Sequence, residues 1–160
     1  MIVDFHTHIF PHAVLADRRR YLDDAGFRLL YSTEKSRAVG HSTLLNDMKE
    51  GGVDLAVAMA FPWENEEYCE EQHEYLKGVM EQSRGRILPF GMPPVSGTAD
   101  VEGWIERIFN DGFKGIGEIA FYKGGMGNES FDYLERVFRA ARRFGLPVCL
   151  HVSEPVGHRY

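Results

Sequence analysis

The chain has 160 residues, of which 44% are hydrophobic and 26% charged, and its formal net charge is -6. This length suits one domain with its own hydrophobic core, and the acidic balance argues against a nonspecific nucleic-acid surface. Neither a signal peptide nor an apolar run of about 18 residues is recognisable, so we expect a cytoplasmic protein that makes no membrane contact.

The first predicted strand ends in two histidines. Met1-Ile2-Val3 is apolar, and Asp4-Phe5-His6-Thr7-His8 follows it directly, before the chain must turn at Pro11. Because side chains alternate between the faces of a strand, His6 and His8 should point the same way. Two imidazoles on one face can bind a metal ion, although two ligands do not complete a site and the pair could also be plain surface histidines.

Residues 9–40 have weak periodicity and many charges, which predicts an extended loop with one or two helical turns. Within this segment, Arg18-Arg19-Arg20 could bind an anionic substrate or could be a solvated helix end. A short helix should follow, capped by the hydroxyls of Ser42 and Thr43 and ended by Gly51-Gly52.

The rest of the chain alternates between strand and helix patterns. Strands are predicted at residues 53–61, 86–92, 113–119 and 146–152, and helices at residues 64–84, 100–110 and 130–144. The helix at 100–110 should turn Trp104, Ile108 and Phe109 inward. This order predicts a parallel sheet with right-handed crossovers, as in a doubly wound sheet or a (β/α)₈ barrel.

The glycines help to choose between these two architectures. A doubly wound nucleotide binder should have a glycine-rich turn after its first strand, and here that place holds His6 and His8. The glycine cluster at 124–127 follows the fourth strand and lacks a P-loop lysine, so we interpret it as a flexible loop. The two cysteines do not form a disulfide framework. We expect a disfavoured thiolate at Cys69, in a glutamate-rich helix, and a buried small hydrophobe at Cys149.

Side chains that can bind a metal recur at the carboxyl ends of the predicted strands. His6 and His8 follow the first strand, Glu118 ends the fourth and His151 ends the fifth. Parallel barrels build their active sites at this end. Glu118 could instead be a buried ion-pair partner and His151 a satisfied core residue, but their coincidence at equivalent strand ends favours a shared metal site.

Further candidates lie in the loops that follow these strands. In the loop after the fifth strand, Glu154 and His158 could touch the substrate or carry protons, or they could belong to a polar turn. Four residues after the second and fourth strands could line the pocket for the same positional reason: Trp63, Glu64, Tyr122 and Lys123.

The chain resembles the amidohydrolase superfamily, in particular its TatD and amidohydrolase-related groups of metal-dependent hydrolases. The resemblance rests on three pieces: Asp4-Phe5-His6-Thr7-His8, Gly117-Glu118-Ile119 and Leu150-His151-Val152. It implies a (β/α)₈ TIM barrel with one or two divalent metals, often zinc, with manganese and magnesium as alternatives. It also implies that His6 and His8 hold one metal, that His151 holds the other, and that Glu118 bridges or binds.

The chain also departs from the family pattern, which has a further histidine after strand six and an aspartate after strand eight. A full barrel takes about 250 residues, and this chain has room for about the first five β/α units. An open five-strand sheet would leave strand edges bare and apolar faces uncovered. We therefore expect residues 1–160 to form a single barrel domain truncated after strand five, completed by a missing C-terminal half or by a partner such as a second copy.

Three functions are consistent with the sequence. The leading one is a metal-dependent hydrolase in which a metal-activated water attacks a small ester, amide, lactone or phosphoester. Because the strand-eight aspartate is missing, the proton acceptor is either absent or is one of Glu154 and His158. The second is a metal-dependent decarboxylase of the same superfamily, whose members generally lack a strand-four metal carboxylate, so Glu118 favours hydrolysis. The third is a non-catalytic metal-binding fragment. The loops that would specify the substrate cannot be interpreted from the sequence.

Overall fold

The computed structural model describes residues 1–123 and 125–152, in which five parallel strands form one sheet in the order β1-β2-β3-β4-β5. The strands are β1 (Val3–Thr7), β2 (Leu55–Met59), β3 (Ile87–Gly91), β4 (Gly115–Ile119) and β5 (Val148–Leu150). Each strand pairs with the next along the chain, whereas a doubly wound sheet would reverse its order at a switch point. The sheet is therefore a curled half of a (β/α)₈-type barrel, as predicted.

Helices connect these strands. They are α1 (His12–Ala16), a 3₁₀ turn (Arg18–Tyr21), α2 (Ala25–Tyr31), α3 (His41–Gly51), α4 (Glu66–Gln82), α5 (Val101–Asn110) and α6 (Asn128–Phe144). The predicted glycine stops of α3 and α6 are confirmed, since Gly52 (φ 67°) and Gly145 (φ 66°) adopt the left-handed conformation. Within the described residues, no helix combines the length and the apolar character that crossing a membrane requires.

The start of α3 corrects the prediction of a hydroxyl cap. The helix begins at His41, so Ser42 and Thr43 already lie within its first turn. Gly40 is the N-cap residue and has no side chain with which to cap. Helices α4 and α5 do use side-chain caps: Asn65 accepts a hydrogen bond from the N–H of Glu67, and Asp100 from that of Gly103. Helix α6, like α3, begins after a glycine and has no side-chain cap.

The main hydrophobic core lies between the outer face of the sheet and the helices. Ala56, Ala58, Ile87 and Ile116 of the strands pack there with Leu76, Val79, Ile105, Ile108 and Val137 of α4, α5 and α6. Val57, Met59 and Phe90 form a separate cluster on the opposite, inner face. β2 is therefore buried on both faces, which explains why its sequence is a nearly unbroken apolar run.

A second core, made of aromatic rings, is the main feature that periodicity did not reveal. Residues 9–40 contain two short helices and a 3₁₀ turn, so the prediction of an extended loop with helical turns is only partly right. Phe10, Tyr21 and Phe27 of this segment are almost fully buried against Phe61 and Trp63. Helices of five to seven residues are too short to produce a clear 3.6-residue pattern.

Two side chains are more exposed than predicted. Phe109 was expected inside, but it is 44% exposed and stacks on Phe144 at a ring separation of 4.8 Å, because the inward face of α5 is supplied by Val101, Trp104, Ile105 and Ile108. Cys149 is only partly buried. Cys69 is buried, and this burial, together with nearby carboxylates, raises the pKa of its thiol well above the usual range. The thiolate of Cys69 is therefore disfavoured, as predicted.

Candidate metal site

Three side-chain atoms converge at the carboxyl end of the sheet. The Nε2 atoms of His6 and His8 lie 3.2 Å apart, and each lies 3.2 Å from Oε2 of Glu118. The sequence separation between Glu118 and the two histidines exceeds 100 residues, so only the folded sheet brings them together. His6 is half exposed and Glu118 is almost fully buried, so the triangle is open to solvent on the His6 side.

The backbone of β2 determines which nitrogen of His8 carries a proton. Nδ1 of His8 lies 3.1 Å from the carbonyl oxygen of Met59. A carbonyl only accepts, so Nδ1 must be the donor, and in the neutral ring Nε2 then presents a lone pair to the triangle. Metal-bound histidines are held in the same way, with one ring nitrogen donating to a carbonyl while the other binds the ion.

Glu118 brings negative charge to the triangle. Burial alone would raise the pKa of Glu118, but the polar imidazoles of His8, His151 and His6 around the carboxylate outweigh burial and lower this pKa to about 2. The carboxyl group is therefore ionised at neutral pH and only accepts. Its second oxygen, Oε1, lies 3.0 Å from Nδ1 of His151. Glu118 thus contacts two histidines with one oxygen and a third histidine with the other.

A positive charge at the centre of the triangle would satisfy all three atoms. If protons alone supplied this positive charge, both Nε2 atoms would carry N–H groups. The two N–H groups would then face each other across 3.2 Å, and they would repel. Three ligands of one ion at about 2.1 Å are separated by this distance when the angles at the ion are near about 100°. Two imidazoles and a carboxylate are also a donor set that Zn²⁺ and Mn²⁺ accept. The residues present therefore fit a divalent cation.

Two local irregularities position these side chains. In the pairing of β1 with β2, Asp4 is opposite Ala56 and Thr7 is opposite Ala58, so β1 has one extra residue in this interval. The hydroxyl of Thr7 donates to the carbonyl of Val57 at 2.8 Å and holds the end of β1 to β2. Strict alternation, on which the sequence prediction relied, is thus interrupted, although His6 and His8 still meet at one point.

The glycine before Glu118 is the second irregularity. Gly117 has φ +144°, which side-chain-bearing residues rarely adopt, and a Cβ placed on it would lie 2.8 Å from Cβ and 2.9 Å from the carbonyl oxygen of Cys149. A Cβ on Gly115 would lie 2.5 Å from the ring of Phe90. The glycines of β4 therefore allow close packing against the neighbouring strands.

Two tyrosines, Tyr31 and Tyr122, lie near Glu118, and of these only Tyr122 was proposed from the sequence. Burial raises the pKa of both Tyr31 and Tyr122, and the negative charge of Glu118 adds to this rise, so both phenols remain protonated. Tyr122 stacks over Phe61 and its ring lies 6.3 Å from that of His151. Tyr31 comes from the segment with weak periodicity, and no sequence signal indicated it.

The other predicted site residues have different outcomes. Glu64, Tyr122 and Lys123 line a cavity of about 650 Å³ beside the carboxyl ends of β2 and β4. Trp63 does not line it: this prediction was wrong, because Trp63 is 1% exposed in the aromatic core and its Nε1 donates to Gln72. Glu154 and His158 lie outside the described residues. The cavity does not include the triangle of His6, His8 and Glu118.

Comparison with known proteins gave matches only among solved structures; no protein-family model and no curated protein matches the chain. A 5-carboxyvanillate decarboxylase from Novosphingobium aromaticivorans, solved with manganese and 3-methoxy-4-hydroxy-5-nitrobenzoic acid, has a TM-score of 0.75 and 17% identity over 97% of this chain and 52% of its own. A proposed amidohydrolase from Staphylococcus aureus has a TM-score of 0.65 and 20% identity over 98% of this chain and 48% of its own.

A 4-oxalomesaconate hydratase from Rhodopseudomonas palustris has a TM-score of 0.62 and 19% identity over 96% of this chain and 52% of its own. The chain thus spans about half the length of these enzymes. The narrower resemblance to the TatD group stays a prediction. At these identities the matches establish the fold alone, and the chain folds like about half of the barrel of these enzymes.

Proposed function

We propose that this chain carries the metal-binding part of a divalent-metal-dependent hydrolase that acts on a small molecule. The observation that carries the proposal is the triangle of His6 Nε2, His8 Nε2 and Glu118 Oε2, with all three separations at 3.2 Å. His8 Nε2 offers a lone pair, His6 Nε2 offers one in its Nδ1–H tautomer, and Glu118 offers an ionised oxygen, so a cation is the missing complement.

Each residue has a distinct task in this proposal. His6, His8 and Glu118 would hold the ion, and the carbonyl of Met59 would keep Nδ1 of His8 protonated so that Nε2 binds. His151 would orient Glu118 through its Oε1 atom. A bound divalent ion would supply Lewis acidity and make hydroxide available from water near neutral pH. The open side of the triangle at His6 leaves room for water and substrate.

Glu118 is the reason to prefer hydrolysis. Its two oxygens contact histidines on opposite sides, with His6 and His8 at Oε2 and His151 at Oε1. A carboxylate in this position can bridge two ions, and a two-ion site suits hydrolytic displacement by stabilising both the attacking and the leaving oxygen. In the two-ion form, His151 would bind the second ion, as the family resemblance implies.

Decarboxylation is the second candidate. A manganese-bound decarboxylase gives a TM-score of 0.75 with this chain, and a single triangle of ligands is sufficient for one ion. Ion number therefore separates the two candidates. Zinc is our first choice of ion and manganese the alternative, because imidazole and carboxylate ligands suit both.

The proton carrier is proposed from the sequence alone. Glu154 and His158 follow β5, in the region where barrel enzymes collect catalytic side chains. We propose that one of them accepts a proton during hydrolysis. Glu154→Gln and His158→Gln should then lower kcat while leaving metal content unchanged.

Elemental analysis of the purified protein tests the metal site directly. Wild type should retain zinc or manganese after dialysis, and His6→Ala and His8→Ala should lose most of it. His12→Ala is the matched control, because His12 is an exposed histidine on α1 outside the triangle. Equal metal content in His8→Ala and wild type would contradict the proposal.

A substrate panel then tests the reaction. Two ions per chain together with hydrolysis of esters, lactones or phosphodiesters would support the hydrolase. One ion together with carbon dioxide release from hydroxybenzoic acids would support the decarboxylase instead. Retained metal without either activity would favour a non-catalytic metal-binding function.

A further inference from the structure

A second groove lies away from the metal triangle, between the start of the 3₁₀ turn and the segment that precedes α3. Its volume is about 710 Å³, and its lining includes three arginines: Arg18, Arg19 and Arg37. Arg18 Nη1 donates to the carbonyl of Ser36 at 2.8 Å and ties one wall of the groove to the other. Arg20, the third member of the arginine run, does not line the groove, because its guanidinium lies 5.4 Å from the ring of Tyr21.

The three arginines have no carboxylate partner in the part of the chain that the structure describes. Among residues 1–123 and 125–152, none of them forms an ion pair with Asp or Glu. The lining contains one acid, Asp17, whose carboxylate is already engaged by the backbone N–H of Arg19. Three arginines and one aspartate give the lining a charge of +2, in a chain whose net charge is -6.

Guanidinium groups that line one groove without paired carboxylates repel one another, and an anion bound among them would offset this repulsion. Arginine is also the side chain that best matches the planar, bidentate geometry of carboxylate and phosphate groups. The hydroxyls of Ser36 and Thr43 belong to the same lining and can donate to an anion. The groove therefore combines cationic and neutral donors in one concave surface.

We propose that this groove binds a small anion carrying at least two negative charges on phosphate or carboxylate groups. A volume of about 710 Å³ accommodates a ligand of metabolite size. The proposal goes beyond the proposed function, because the groove lining contains none of His6, His8 and Glu118.

Isothermal titration calorimetry with two probes tests this site. Sodium pyrophosphate represents phosphate ligands and sodium tricarballylate represents carboxylate ligands. At low ionic strength, wild type should bind at least one of them, and added sodium chloride should weaken the binding. A preference for either probe supports the site and identifies which anionic group it takes.

The variant Arg19→Gln/Arg37→Gln removes two donors but leaves the bond from Arg18 to Ser36 intact. Its affinity should fall at least about tenfold, which corresponds to the loss of about 1.4 kcal/mol. The matched control is Arg84→Gln/Arg142→Gln, which removes the same charge at two arginines outside the groove. This control should bind within about twofold of wild type if local contacts rather than net charge hold the anion.

Three results would overturn the proposal. Wild type could bind neither probe, or the groove variant could bind as tightly as wild type. Binding could also disappear in His8→Ala, which would locate the anion at the metal triangle. This third variant also separates the two proposals, because loss of metal in His8→Ala should leave binding in the groove unchanged.

Discussion

The substitution Gly117→Ala tests whether the glycine before Glu118 is required by the fold. Gly117 lies in β4, directly against β5, and adopts φ +144°. The added methyl would meet Cβ of Cys149 at 2.8 Å and the carbonyl oxygen of the same residue at 2.9 Å. A backbone carbonyl cannot swing aside as the end of a flexible side chain can, so the strands themselves would have to separate.

The expected cost has two parts. Placing alanine in a sparsely populated backbone region costs about 1–3 kcal/mol. Forcing an extra methyl into a packed contact costs about 1–3 kcal/mol more. Together they predict a loss of about 2–6 kcal/mol in the free energy of unfolding, which is a large part of the stability of a small domain. Displacement of Glu118 should also weaken manganese binding.

Urea denaturation of three alanine variants separates these parts. Gly145 has φ +66° with no atom within 4 Å of the added Cβ, so Gly145→Ala should cost about 1 kcal/mol from backbone strain alone. Gly97 has open space and no positive φ, so Gly97→Ala should change stability by less than about 1 kcal/mol. If Gly117→Ala unfolds within about 1 kcal/mol of Gly97→Ala, the steric reasoning is wrong.

Three further outcomes follow from particular contacts. The side chain of Gln72 accepts hydrogen bonds from the N–H of Phe61 and from Nε1–H of Trp63, and it donates one to the carbonyl of Ile9. Gln72→Leu should therefore lower the free energy of unfolding, measured by urea denaturation, by about 2–4 kcal/mol. Gln82→Leu, at an exposed glutamine, should leave it unchanged. Burial lowers the pKa of His73 below its usual value of 6.5, despite the hydrogen bond to Asp111. The unfolded chain therefore binds more protons than the folded one, and the free energy of unfolding should fall as the pH drops below about 6.5. His73→Gln should flatten this fall, whereas His12→Gln, at an exposed histidine, should not. Equal slopes in both variants would refute that reasoning. Glu118→Gln should lower the affinity for manganese, measured by calorimetry, by more than about 100-fold. Residues that only hydrogen-bond to metal ligands already contribute about 10- to 100-fold to metal affinity, and a direct ligand should contribute more. An unchanged affinity would exclude Glu118 as a ligand.

Much of the fold could be predicted from local patterns. The order and approximate bounds of all five strands follow from short apolar runs, and α4, α5 and α6 follow from 3.6-residue periodicity. The prediction failed where elements are short or where packing partners decide. The helices of residues 9–40 are too brief to show a period, and Phe109 lies outside because it stacks on Phe144 of another helix.

Part of the candidate site could also be predicted from local patterns. His6, His8, Glu118 and His151 stand at strand ends, and strand ends are visible in the sequence. Trp63 also follows a strand, yet it is enclosed by aromatic rings from a distant segment that no local pattern could connect to it. Position along the chain indicates which end of the sheet a residue reaches, but not whether its side chain points into the core or into the site.

The sequence by itself determined the alternation of strands and helices and the residue types at the strand ends, because both depend on periods of two and 3.6 residues along a single segment. Only the tertiary structure decided that two imidazole nitrogens and one carboxylate oxygen lie 3.2 Å apart. That convergence depends on the extra residue in β1, the conformation of Gly117 and the carbonyl of Met59. Each of these is set by contacts between strands, which form only when the sheet curls and joins segments distant in sequence.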